Sequence, residues 1–272
     1  MTAFGSRLVS AISDRSPLCV GIDPHPHLLR DWGLPDAPES LRSFGLAVVE
    51  AAAGRAAAIK PQVAFFERHG SAGLRALEDV LAVARDRDVL VIGDAKRGDV
   101  GTSVAAYGEA WLHPDSPLFV DALTVSAFQG TGSLASVFEL ASEHERGLFV
   151  LCATSNPEAA GIQLATTETG ETVAATIARE VAVLNSAAAS SMGSIGLVLG
   201  ATIDVRDFGI EVDANTPVLA PGFGAQGGRL EDLRTLFPAS APVLAAVSRS
   251  ILEHGPDGLV AAIDEAVATV SA

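Results

Sequence analysis

The sequence predicts an α/β fold: a single (β/α)8 TIM barrel over residues 1–272, with an extra helix at its N-terminus. Three observations predict it. Eight short apolar runs recur along the chain, and helix-patterned, alanine-rich stretches alternate with them. The runs are near-continuous in hydrophobicity, as strands covered on both faces should be. Neither a Pro/Gly-rich linker nor a charge block divides the chain, and 272 residues suit a barrel that needs about 250.

The elements follow in order. Phe4–Ile12 reads as a leading helix that could close the bottom of a barrel. The strand runs are Leu18–Ile22, Ala56–Ile59, Val89–Gly93, Leu118–Asp121, Leu148–Leu151, Ile195–Leu199, Val218–Ala220 and Val243–Val247. The helices between and after them are Leu41–Ala53, Gly73–Ala84, Val104–Trp111, Leu134–His144, Thr172–Ala188, Leu230–Phe237 and Leu259–Val270, each with apolar residues at helical spacing. Ala201–Val212 is weaker, one or two turns. A doubly wound open sheet is the rival, but it would usually show Gly-x-Gly-x-x-Gly after its first strand. Here that strand runs into Gly21-Ile22-Asp23-Pro24. No repeat is clean enough for a solenoid.

Composition narrows the function. The formal net charge is −15, from 33 acidic and 18 basic residues. A nucleic-acid polymer or an anionic membrane would call for a basic face, so neither is an expected partner. A small anionic ligand needs only one cationic pocket. Cys19 and Cys152 form no framework or metal spacing, and free thiols of a cytoplasmic protein are expected. Met1–Ser16 carries Arg7, Asp14 and Arg15 and does not read as a signal peptide, and no 18-residue stretch is apolar enough to span a bilayer. Only two of the 18 basic residues are lysines, Lys60 and Lys96. A GC-rich coding bias would explain the scarcity, but not the choice of positions.

Barrel enzymes work at the C-terminal ends of their strands. Those ends are polar here: Asp23, Lys60, Asp94 and Lys96, Asp121 and Thr124, Thr154-Ser155-Asn156, Pro221–Gly228, and Ser248-Arg249-Ser250. Both lysines fall on this rim. In a regular strand Asp94 and Lys96 share a face, with Ala95 turned outward. A lysine among carboxylates keeps its proton, which makes it a proton donor rather than a Schiff-base nucleophile. The bland alternative is an ion pair closing the barrel top. The glycine-rich loop after strand seven (Gly222, Gly224, Gly227, Gly228), with Gln226 and Arg249, suits a phosphate held by backbone N–H groups and a guanidinium fork; an ordinary turn with a solvent-facing arginine is the alternative. Metal ligation looks weak: His25, His27 and His113 form no ligand cluster, and a lysine sits where a cation bound by Asp23, Asp94 and Asp99 would go. No Ser-His-Asp arrangement is apparent. Tyr107, Trp111 and Phe128 read as core or interface.

These blocks resemble the orotidine 5'-phosphate decarboxylase family, in its longer bacterial subgroup. The central signature stands as Asp94-Ala95-Lys96-Arg97-Gly98-Asp99-Val100-Gly101-Thr102-Ser103. Around it lie Val20-Gly-Ile-Asp23-Pro24, Ile59-Lys60-Pro61-Gln62 through Glu67, Leu123-Thr124-Val125, Cys152-Ala-Thr-Ser155-Asn156-Pro157, Pro221–Gly228 and Ser248-Arg249-Ser250, in order from residue 20 to 250. The resemblance implies decarboxylation of orotidine 5'-phosphate to uridine 5'-phosphate and CO2, with no metal or organic cofactor. It implies Lys96 as proton donor to C6, flanked by Asp94 and Asp99, with Lys60 completing a Lys-Asp-Lys-Asp array. Asp23 and Lys60 would hold the ribose hydroxyls, Ser155 the pyrimidine, and Gln226, Arg249 and the Ser248 backbone the 5'-phosphate, with Pro221 near the base. A homodimer is implied, with Asp99, Val100 and the hydroxyl of Ser103 (Thr102 is its neighbour) donated to the partner's site. The stretch Pro157–Gly170 has no assigned role. The rival activities are another phosphate-binding barrel lyase, such as a sugar-phosphate aldolase or hexulose-phosphate synthase, and a non-enzymatic nucleotide sensor.

Overall fold

A computed structural model describes residues 2–186, 192–238 and 241–271. Among these residues eight parallel strands close into a barrel in sequence order: β1 (Leu18–Ile22), β2 (Ala58–Pro61), β3 (Leu90–Arg97), β4 (Ala122–Ser126), β5 (Gly147–Ala153), β6 (Ile195–Leu199), β7 (Val218–Pro221) and β8 (Val243–Val247), with β8 pairing back to β1. The expected (β/α)8 TIM barrel is the observed fold.

Two apolar layers hold it together. One lies between the sheet and the outer helices. The other fills the barrel, with Cys19, Ala58, Ile92, Ala122, Phe149, Val198, Leu219 and Leu244 in a single cluster. The leading helix, α1 (Phe4–Asp14), places Phe4, Leu8 and Ala11 in that inner cluster and so plugs the bottom. Phe4 meets Phe149 edge-on with ring centroids 6.0 Å apart. Gly147 is required beneath it, since a Cβ there would stand 2.2 Å from the Phe4 ring.

Three strands, β1, β6 and β8, match their apolar runs. Three others shift in ways that matter to function. β2 lies two residues later than expected and contains Lys60. β3 continues past its apolar run through Asp94, Ala95 and Lys96 to Arg97. The fourth strand is not Leu118–Asp121 but Ala122–Ser126. The Leu118–Asp121 run instead leads into the sheet from the barrel bottom. Asp121 therefore sits at the start of β4, away from the C-terminal rim. Its carboxylate accepts from Arg7 of α1, from Arg146 at 3.0 Å and from the Val91 backbone N–H at 2.9 Å. It is a structural anchor of the plug.

The helices fall close to their expected places. Leu134 and Leu230 belong to 3-10 turns, Thr131–Leu134 and Leu230–Asp232, that precede short α-helices. The weak Ala201–Val212 stretch holds one 3-10 turn, Val205–Phe208. Ala187 and Ala188 of the expected Thr172–Ala188 helix lie outside the described residues; the described part is Val173–Ser186. Short helices at Pro26–Asp31, Val63–Glu67 and Arg249–Leu252 were not legible as helical runs, and all three stand at the rim. No helix of the described residues is long and apolar enough to cross a membrane.

Candidate active site

The C-terminal ends of the strands surround a cavity of about 610 Å³. Of the twelve residues singled out from the sequence, nine line it: Asp23, Lys60, Asp94, Lys96, Ser155, Pro221, Gln226, Ser248 and Arg249. Asp99, Val100 and Ser103 do not. They belong to the loop and first helical turn after β3, where Val100 is 54% exposed. Asp99 Oδ1 accepts the Val100 backbone N–H at 2.8 Å. Within one chain the four-member array thus has three members in place.

Asp94 is the centre of that array. Its Oδ2 accepts from Lys60 Nζ at 2.8 Å and Gln62 Nε2 at 2.9 Å. Its Oδ1 accepts from Lys96 Nζ at 2.6 Å and Thr124 Oγ1 at 2.9 Å. Asp94 and Lys60 are each only 7% exposed. Burial by itself would raise the Asp94 pKa, but Lys60 and Lys96 outweigh it and hold the carboxyl well below the usual carboxylate range. Burial would likewise push Lys60 down, but Asp94 and Asp23 outweigh it and keep the ammonium above the ordinary lysine range. Such a buried pair is tolerable only with this degree of hydrogen bonding. Below it, burial pushes the Cys19 thiol up to about 12, so it stays protonated.

Asp94 and Lys96 do meet, but not through a regular strand. The β3–β4 register breaks between Gly93 and Arg97, and Lys96 has φ +50°. A lysine in the left-handed region is disfavoured by about 1–2 kcal/mol. The break is held by Thr124, whose Oγ1 accepts the Lys96 backbone N–H at 3.0 Å. Lys96 Nζ also reaches Gln62 Oε1 at 3.4 Å. Its side chain is far more exposed than that of Lys60 and stands towards the open cavity.

Another part of the wall carries the glycine-rich loop with Gln226, and Ser248 and Arg249. Gly222, Gly224 and Gly227 take φ of +120°, +70° and +95°, as the glycine-rich loop suggests. The loop uses several of its own N–H groups internally: Gly224 to Gly228 O, Gly227 to Gly224 O and Gly228 to Gly222 O, at 2.8, 2.8 and 3.0 Å. Three of the loop's N–H groups are thus spent within the loop, and the Gln226 amide and the Arg249 guanidinium are side-chain donors beside it. Arg249 opens the helix Arg249–Leu252, with Ser248 as its N-cap. Ser248 Oγ and Asp23 Oδ1 are buried without a hydrogen-bond partner among the described residues.

Some lining residues have no role assigned from the sequence. Gln62 and Thr124 complete the Asp94 network; both stand beside Lys60 or in the β4 block, yet their partners depend on strand register. His25 lines the mouth, with its ring 4.3 Å from that of Phe65. Burial pushes its pKa below the ordinary histidine value, with Asp23 opposing and His27 and Arg249 reinforcing the shift. Both cysteines are free and buried, as expected. Trp111 is in the core, whereas Tyr107 and Phe128 are exposed.

Comparison with known proteins agrees with this geometry. Residues 16–263 match the model of the family described as "Orotidine 5'-phosphate decarboxylase / HUMPS family". The chain is 52% identical over 259 residues to the orotidine 5'-phosphate decarboxylase of Salinispora tropica, covering 94% of this chain and 92% of that protein. It is 50% identical over 271 residues to the protein of the same name from Salinispora arenicola, covering 98% and 97%. A crystal structure from Streptomyces avermitilis superposes with a TM-score of 0.94 at 48% identity, over 100% of this chain and 97% of that one.

Proposed function

The chain belongs to the orotidine 5'-phosphate decarboxylase / HUMPS family, and from that premise we infer that it converts orotidine 5'-phosphate to uridine 5'-phosphate and CO2, the last step of de novo pyrimidine (UMP) biosynthesis. The observation that carries this reading is the Asp94 carboxylate shared between the chain's only two lysines, in a cavity whose far wall carries Gln226 and Arg249.

The chemistry follows from charge placement. The bond between C6 and the carboxylate carbon breaks and CO2 departs. Its electron pair stays at C6 in the plane of the ring, where the π system cannot delocalise it. Lys96 Nζ, paired with Asp94 at 2.6 Å, stabilises that charge and gives its proton to C6. Asp94 orients Lys96 through that hydrogen bond. Asp23 and Lys60 hold the ribose hydroxyls, Ser155 contacts the pyrimidine, and Pro221 lies near the base. Gln226, Arg249 and the Ser248 backbone hold the 5'-phosphate, remote from C6, so that binding energy there is converted into orientation.

The working unit is a homodimer of a cytoplasmic enzyme. Asp99, Val100 and Ser103 complete the partner's site. Support comes from their position outside their own cavity and from the exposure of apolar Val100 beside them.

The test is a spectrophotometric assay with orotidine 5'-phosphate in excess chelator, with borohydride trapping alongside. Turnover to UMP, unaffected by chelator and with no adduct on Lys60 or Lys96, is the expected result. A borohydride adduct would point to an aldolase instead, and UMP binding without CO2 release to a sensor.

A further inference from the structure

The stretch Pro157–Gly170 after β5, which the sequence left without a role, turns one side chain back onto the cavity wall. It carries a 3-10 turn, Pro157–Ala159, and a short helix, Ala160–Gln163. At the end of that helix Gln163 Oε1 accepts the Thr154 backbone N–H at 2.9 Å, and Gln163 Nε2 donates to the Thr154 hydroxyl at 3.0 Å. The hydroxyl in turn donates to Asn156 Oδ1 at 2.8 Å, and Asn156 Nδ2 donates to Glu158 at 3.1 Å. Donors and acceptors alternate consistently along this chain of four side chains.

The residues so held are the ones the strand does not hold. β5 ends at Ala153, and Thr154, Ser155 and Asn156 line the cavity beyond it. Ser155 and Asn156 are exposed, so packing fixes neither. From the β6 side, Gly200 N donates to Ala153 O at 2.9 Å, and a Cβ on Gly200 would lie 3.3 Å from Ser155 N. The Thr154–Asn156 turn is thus fixed between Gly200 on one side and the Gln163 amide on the other. The outer end of the stretch is tied down independently, by Val173 N donating to Ala165 O at 2.9 Å.

We propose that Gln163 is a positioning residue: its amide fixes the turn that presents Ser155, and thereby sets affinity for the base half of the nucleotide without touching it. The inference rests on the reading above that Ser155 contacts the pyrimidine. It gives part of the stretch a task, the return of an amide to Thr154 nine residues upstream.

The experiment compares binding of UMP and of ribose 5-phosphate, which has the phosphate and no base, to wild type, Gln163→Ala and Gln163→Glu, together with kcat and KM for orotidine 5'-phosphate. Loss of both hydrogen bonds should weaken UMP binding roughly 10-fold and raise KM more than it lowers kcat, with ribose 5-phosphate affinity within about twofold of wild type. Gln163→Glu keeps the acceptor for the Thr154 N–H and should recover part of the UMP affinity; ribose 5-phosphate reports any effect of the added charge. Equal losses for both ligands, or UMP affinity in Gln163→Ala equal to wild type, would overturn the inference. Failure of the wild type itself to bind UMP or turn over orotidine 5'-phosphate would instead overturn the parent reading.

Discussion

The Thr124 hydroxyl donates to Asp94 Oδ1 over 2.9 Å, and the same oxygen accepts the Lys96 backbone N–H at 3.0 Å. One buried oxygen on β4 thus fixes both the carboxylate and the irregular backbone that carries the ammonium. Replacing Thr124 by Val keeps the shape and removes both bonds. We expect kcat to fall roughly 10-fold, the size of one net hydrogen bond, with circular dichroism unchanged. An unaltered kcat would mean that Asp94 and Lys96 hold each other without it.

The same buried array makes stability depend on pH in a defined direction. The folded-state pKa of Asp94 is depressed, so its contribution is present above the ordinary carboxylate value of about 3.9 and is lost as pH falls through the folded value. The Lys60 value is raised, so its contribution persists below the ordinary lysine value of about 10.4 and is lost only as pH rises through the folded value. The Tm gap between wild type and Asp94→Asn should therefore stay level from pH 5 to 9 and narrow below pH 4. A gap that closes between pH 6 and 8 would contradict the assignment of charges.

The proposed sharing of sites between subunits makes a mixing experiment informative. Lys96→Ala and Asp99→Ala should each be nearly inactive alone. If the partner supplies Asp99, co-refolding the two variants restores about one quarter of the sites, since half the dimers are mixed and each has one complete site. No recovery on mixing would place Asp99 in the site of its own chain.

The two thiols are expected to be inert. Burial pushes both Cys19 and Cys152 up to about 12. The folded protein should resist alkylation at pH 8 and react at both positions after denaturation. Rapid labelling of Cys19 under native conditions would show that the floor of the cavity is open to solvent.

How far the sequence revealed this molecule can be followed residue by residue. β1, β6 and β8 were legible because their apolar runs stop abruptly. β4 was not, because its strand residues Thr124 and Ser126 are polar and Thr124 lines the cavity, while the apolar Leu118–Val120 run belongs to the approach. The same error put Asp121 on the wrong end of the barrel. Asp94 and Lys96 were found by their two-residue spacing, yet the positive φ of Lys96 was not, since nothing in a lysine favours the left-handed region. Partnerships that depend on register or on the course of a loop stayed hidden: those of Gln62 and Thr124 depend on which strands adjoin, and that of Gln163 on a chain that doubles back over nine residues to Thr154.

The central claim is that the Lys96 ammonium, held by Asp94 at 2.6 Å, supplies the proton that replaces the departing carboxylate. The most direct measurement is kcat for Lys96→Ala beside its dissociation constant for UMP. The account predicts a loss of at least about 10²–10⁴ in kcat, with UMP bound within a few-fold of wild type. Turnover close to that of the wild type would show that the proton reaches C6 by another route.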